Sequence, residues 1–130
     1  MARPASRHPT ELELEILKIL WGSGPLSARS VREALVGFRD LAHTSVLTIM
    51  NIMVEKGYLS RRKQRAGYVY RPRVSEKATT RRMLSDLVDR AFRGSAAQVM
   101  VNLLELGDLD EAEIKRIRQL LKRKSGERQS

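Results

Sequence analysis

Apolar residues near the start of the chain recur with the period of a helix. Leu12, Ile16, Ile19 and Leu20 mark one stripe, widened by Leu17 and Trp21. Thr10 and Glu13 form a T-x-x-E capping box at its start, and the GSGP run at 22–25 ends it. Ser27 then reads as the N-cap of a shorter helix, ARSVREALV, with Val31, Ala34 and Leu35 as its buried positions and Gly37 as its break. After the FRDLAH linker, Val46, Ile49, Met50, Met53 and Val54 repeat at i, i+3, i+4, i+7 and i+8, which predicts a third helix ending at Lys56 with Gly57 as a left-handed cap. The opposite face of that helix is unusual. It carries Thr44, Leu47, Thr48 and Asn51, with Ser45 on its shoulder, where a solvated helix would show Lys and Glu.

The period then changes. YLSRRKQ and GYVYRP are short and rich in Tyr, Val and Leu, and Arg65, Ala66 and Gly67 between them predict a β-hairpin. Three helices followed by a basic hairpin make a winged helix-turn-helix over residues 10–74, preceded by a flexible basic N-terminus at 1–9. In that arrangement the third helix enters the major groove of DNA and the hairpin lies along the flanking backbone. A helix in a groove about 12 Å wide needs a small leading face that can hydrogen-bond to base edges, and Leu47 can meet a thymine methyl. The candidate DNA-binding residues are therefore His43, Thr44, Ser45, Leu47, Thr48 and Asn51 on the helix, and Arg61, Arg62, Lys63, Arg65 and Tyr68 on the wing.

Beyond residue 74 the pattern is helical again. From Ser75, a helix carries Leu84, Leu87, Val88, Ala91 and Phe92 at i, i+3, i+4, i+7 and i+8 before Gly94. Ser95 caps the next, AAQVMVNLLEL, which buries Val99, Met100, Leu103 and Leu104 before Gly107. Asp110 and Glu113 form a second capping box, with Leu109 and Ile114 as a hydrophobic staple, and Ile114, Ile117, Leu120 and Leu121 give the last helix its apolar stripe. Three short helices with wide apolar faces are too little chain to close a core alone. Pairing with a second copy would bury them. Residues 75–123 are accordingly expected to form a helical dimerisation domain, with Leu84, Leu87, Val88, Phe92, Val99, Met100, Leu103, Leu104, Ile114, Ile117 and Leu121 at the interface, and residues 124–130 a basic disordered tail. The predicted class is mainly α with a small β-wing.

Charge narrows the partner. The 130 residues hold 25 Lys and Arg against 15 Asp and Glu, a net charge of +10, and the span 59–74 holds six basic residues and no acid. A positive field concentrated on one short segment favours a polyanion. No apolar run approaches the ~18 residues of a membrane span, and MARPASRHP has no apolar signal region, so a cytoplasmic chain without membrane insertion is expected. Cysteine is absent, and His8 and His43 have no carboxylates in a ligating pattern, so neither a metal site nor a cofactor is expected.

The succession of TELE at 10–13, Leu20-Trp21, AHTSVLTIMNIMVEKGYL, GYVYRP and a helical tail with VNLLE resembles the penicillinase repressor (BlaI/MecI) family of winged-helix repressors over roughly residues 8–122. The resemblance implies a homodimer on a pseudo-palindromic double-stranded DNA operator, blocking transcription, often of β-lactamase or related genes. It also implies a possible switch: members that answer to β-lactams are released when a membrane-bound sensor metallopeptidase cuts the tail after an Asn followed by Phe. Asn102–Leu103 stands at that place here, with Leu for Phe. Copper-sensing relatives use a cysteine cluster, so copper is excluded as a direct signal for this chain.

Two rivals explain less. A sequence-independent nucleic-acid packaging protein accounts for the charge and the KRKSGER tail but has no use for a small uncharged helix face. A winged helix serving only as a protein-interaction module has no use for the basic wing. An enzyme is the weakest candidate, since neither a Gly-rich phosphate loop nor a His with a Ser and carboxylate in sequence context is present.

Overall fold

The capping box forms as its sequence dictates. Glu13 N–H donates to Thr10 Oγ1 at 3.2 Å, and Thr10 N–H donates to Glu13 Oε1 at 2.9 Å. In the computed structural model, which describes residues 8–129, this box starts α1 (Glu11–Ser23). There follow β1 (Leu26–Ser27), α2 (Ala28–Leu35), α3 (His43–Glu55), β2 (Leu59–Gln64), β3 (Gly67–Pro72), α4 (Glu76–Ala91), α5 (Ala96–Leu106) and α6 (Glu111–Gln129). The strands make one antiparallel sheet in the order β1-β3-β2. Three helices with a strand after the first and a hairpin after the third are the winged helix-turn-helix arrangement.

The chain divides into two compact units, residues 1–86 and 87–130. In the first, Ile16 and Leu17 of α1, Val31 and Leu35 of α2, Val46, Met50 and Met53 of α3, and Leu59 and Tyr70 of the hairpin are essentially inaccessible to solvent. Their burial follows from the helical and strand periods already described, with one exchange in α2. Ala28, not Ala34, is buried, because Ala28, Val31 and Leu35 share a stripe at i, i+3 and i+7 and Ala34 falls on its solvent side.

Three further expectations change. The first unit extends into α4, beyond the boundary expected after residue 74. Trp21 Nε1 donates to the Val74 carbonyl at 2.9 Å just ahead of α4, Thr79 is buried, and His8 Nε2 donates to the buried Asp86 Oδ2 at 3.0 Å, so α4 as far as Asp86 belongs to the first unit. Of the N-terminal segment expected to be flexible, residues 1–7 lie outside the described residues, while Pro9 is buried and His8 is held by that contact. At the other end, α6 runs to Gln129, so the stretch 124–129 expected to be disordered is helical. Lys122, Arg123 and Lys124 are good helix formers, and their propensity offsets the cost of about 1 kcal/mol for Gly126.

The second unit has well-defined helix starts and little interior. Gln98 N–H donates to Ser95 Oγ, and Asp110 and Glu113 exchange both bonds of a capping box. Among the residues from 87 to 127, Val99 is the one buried apolar side chain. The close packing between elements all lies among α1, α2, α3 and the three strands; among the described residues neither α5 nor α6 forms any comparable pairing.

Candidate nucleic-acid interface

α3 is fixed at both ends by groups far away in sequence. At its C-terminus, Gly57 adopts φ +85°, which lets Gly57 N–H reach the Val54 carbonyl and Tyr58 N–H reach the Met53 carbonyl, a Schellman motif with both Tyr58 and Met53 buried. Lys56, at the cap itself, donates Nζ to Glu13 Oε2 at 2.9 Å, while the other carboxylate oxygen of Glu13 serves the capping box of α1. One buried carboxylate thus holds two helices together. Ahead of α3, Arg32 Nε donates to the Leu41 carbonyl at 2.7 Å and anchors the linker to α2. The residues K-G-Y-L that follow the third helix are therefore structural.

The outward face of α3 is that expected from sequence, with two refinements. His43, Thr44, Ser45 and Thr48 are exposed, and Ala42 at the N-cap offers no side-chain bond to the first turn. Leu47 is half-buried and packs against the core, so only its edge faces outward. Thr48 Oγ1 donates to the Thr44 carbonyl at 2.9 Å, which commits its proton within the helix and leaves its lone pairs outward. Asn51 is also half-buried, and its Oδ1 accepts from both Arg61 Nη1 at 2.9 Å and Tyr70 Oη at 2.8 Å.

Those bonds bring the wing against the helix. In the hairpin, Arg61 pairs with Tyr70, Arg62 with Val69, Lys63 with Tyr68 and Gln64 with Gly67, so the connection is the two residues Arg65 and Ala66 rather than three. Side chains alternate across a sheet, so Arg61, Lys63, Tyr68 and Tyr70 share the face turned to α3, and Arg62 lies on the other. The guanidinium of Arg61 also stacks over the Tyr68 ring at 4.5 Å from its centroid. Arg65 sits in the turn. The four basic residues expected on the wing thus divide between two faces and a turn, and a further one, Arg71, pairs with Ser60 on the face of Arg62. Strand alternation is the sequence signal for both points, and the grouping by charge alone passes over it.

The remaining candidates lie elsewhere. Leu84, Leu87, Met100, Leu103, Leu104, Ile114 and Leu121 are exposed; Val88, Phe92 and Ile117 are half-buried; Val99 is buried. Val101, Leu106 and Leu120 are exposed as well, outside the set expected at an interface. Asn102–Leu103 is inside α5, where Asn102 Nδ2 donates to the Gln98 carbonyl at 2.8 Å. Among the described residues no three His, Asp or Glu side chains gather as metal ligands, and no helix is long and apolar enough to cross a membrane.

Known proteins are similar to this sequence across most of its length. It is 24% identical over 112 residues to the methicillin resistance regulatory protein MecI of Mammaliicoccus sciuri, covering 86% of this chain and 91% of that one. It is 23% identical over 112 residues to the penicillinase repressor of Bacillus licheniformis, covering 86% and 88%. With the transcriptional regulator BlaI of Mycobacterium tuberculosis the identity is 28% over 105 residues, covering 79% and 76%. A solution structure of the DNA-binding domain of the repressor BlaI superposes with a TM-score of 0.49 at 22% identity, covering 58% of this chain and 90% of that one. The penicillinase repressor family profile matches residues 9–123, and the chain belongs to that family.

Proposed function

We propose that this chain is a homodimeric, sequence-specific DNA-binding repressor that docks α3 in the major groove of a pseudo-palindromic operator and lays its wing on the flanking phosphates. One observation carries the reading: the exposed start of α3 is small, polar and nearly free of charge, while the hairpin against it is strongly basic. A surface for nonspecific DNA coating needs only the second property. Base readout needs the first, because a base edge is distinguished by neutral donors and acceptors at fixed places. Thr48, with its proton committed to Thr44, acts there as an acceptor, suited to the amino group of cytosine or adenine. The uncapped first turn of α3 leaves backbone N–H groups for a phosphate.

The second unit supports the two-fold part of the proposal. A stretch with one buried apolar side chain and exposed Leu103, Leu104, Leu120 and Leu121 lacks a core of its own, and a second copy of the same helices supplies the missing apolar surface. Relief of repression by cutting this unit follows the same logic. The Asn102–Leu103 bond is helical, so hydrolysis by a membrane-bound sensor metallopeptidase, the partner implied by the family resemblance, requires α5 to open first. Repressor action of this kind takes place in the cytoplasm.

The test is selection by the full chain from a pool of randomised DNA duplexes. Enrichment of inverted repeats whose half-sites are centred about 10 bp apart, or a multiple of it, is the expected result. A pool that remains random after selection contradicts the proposal.

A further inference from the structure

Asn51 lies half-buried on the outward side of α3, and asparagine is a residue type that reads adenine. That contact is bidentate: the amide oxygen accepts from N6 and the amide nitrogen donates to N7. In this protein the oxygen is already taken. Arg61 Nη1 and Tyr70 Oη converge on Oδ1 at 2.9 and 2.8 Å, filling both of its lone-pair directions. Tyr70 cannot easily release it, because the ring is 1% exposed in the core and a buried hydroxyl without a partner is costly. Arg61 lies directly opposite Tyr70 in the hairpin register, so both donors approach from the same sheet face. The Tyr68 ring beneath the guanidinium removes a further degree of freedom.

We infer that Asn51 is a positioning residue: it locks the wing's Arg61 to α3 so that helix and wing meet DNA as one rigid element, with Arg61 making the contact. The inference rests on the DNA-binding reading given above. Only one N–H of the guanidinium is engaged by Asn51, and the others remain on an exposed side chain at the junction of helix and wing. A flexible arginine must lose rotamer freedom when it binds a phosphate; this one is ordered before it arrives. Asn51 therefore contributes to affinity through Arg61 and carries little base preference itself.

The experiment is a double-mutant cycle in the full chain with Asn51→Ala, Arg61→Ala and both together. Binding is titrated against salt on two probes, a duplex selected by the wild-type chain and a scrambled duplex of equal length. Asn51→Ala alone is expected to weaken both complexes by about tenfold and to lower the slope of log K against log salt by about one unit per subunit; in the Arg61→Ala background it should do neither. Tyr70→Phe, which leaves Arg61 its acceptor, should keep the wild-type slope, and thermal melting of each variant separates unfolding from weakened binding. Additive losses, or an Asn51→Ala protein that keeps its slope and loses preference at a single base pair, would overturn the inference. The cycle is read on both duplexes, so a wild type that cannot tell them apart removes sequence-specific repression while leaving the coupling measurable.

Discussion

Single residues in this protein divide into those that fix α3 and those that α3 presents. Glu13 is the clearest of the first kind, since its two oxygens serve the α1 capping box and Lys56 at the end of α3, with both side chains largely buried. Removing one partner of a buried pair leaves the other charge uncompensated. Glu13→Ala should therefore lower unfolding stability by about 3–5 kcal/mol in urea titration, and a loss under ~1 kcal/mol would show that the pair does not hold the helices. Thr48 is of the second kind. Thr48→Ala should weaken binding to a selected duplex by ~1–3 kcal/mol and leave binding to a scrambled duplex nearly unchanged, and equal losses on both would remove Thr48 from base readout. The local half of these arrangements was legible in the sequence. A capping box joins residues three apart and reads directly, whereas the Glu13–Lys56 pair spans 43 residues and no periodicity announces it. Asn51 illustrates the same limit: its place on the outward face followed from helical spacing, but its occupied oxygen depends on strands that approach only in the fold.

At the scale of the element, the wing is a strand pair and its chemistry is set by alternation. Replacing Arg61, Arg62, Lys63 and Arg65 together by Ala should weaken binding to every duplex and flatten the salt slope by about one unit for each phosphate that a subunit ceases to neutralise. The faces need not contribute equally. Arg61 and Lys63 share the α3 side, so their joint replacement should lower the slope more than that of Arg62 and Arg71, and the reverse ranking would turn the other face of the hairpin to the duplex. All six helices were visible as apolar stripes with caps, as was the hairpin as a change of period. The two-residue β1 was not, because a pair of residues is too short to show alternation; its partner Tyr70 defines it through the register Leu26 to Tyr70. The helical run through 124–129 escaped for the opposite reason, since its basic composition suggested a solvated tail while its local propensity favours helix.

For the whole molecule, the chain divides between Asp86 and Leu87. The sequence pattern puts the boundary near residue 74, where the hairpin ends. The hydrogen bond that carries it into α4, His8 to Asp86, joins segments 78 residues apart and has no local signature. A fragment intended to carry DNA binding alone should therefore keep residues 1–86. On the proposed reading, residues 87–130 hold two copies together and make the second half-site contact intramolecular, so each half needs only modest affinity. The most direct measurement compares residues 1–86 with the full chain by sedimentation and by titration of a selected inverted-repeat duplex. The expected result is a folded monomer that binds the duplex weaker than the full-length dimer by roughly 10²-fold or more. A fragment that still dimerises, or that binds as tightly as the intact chain, would contradict the account.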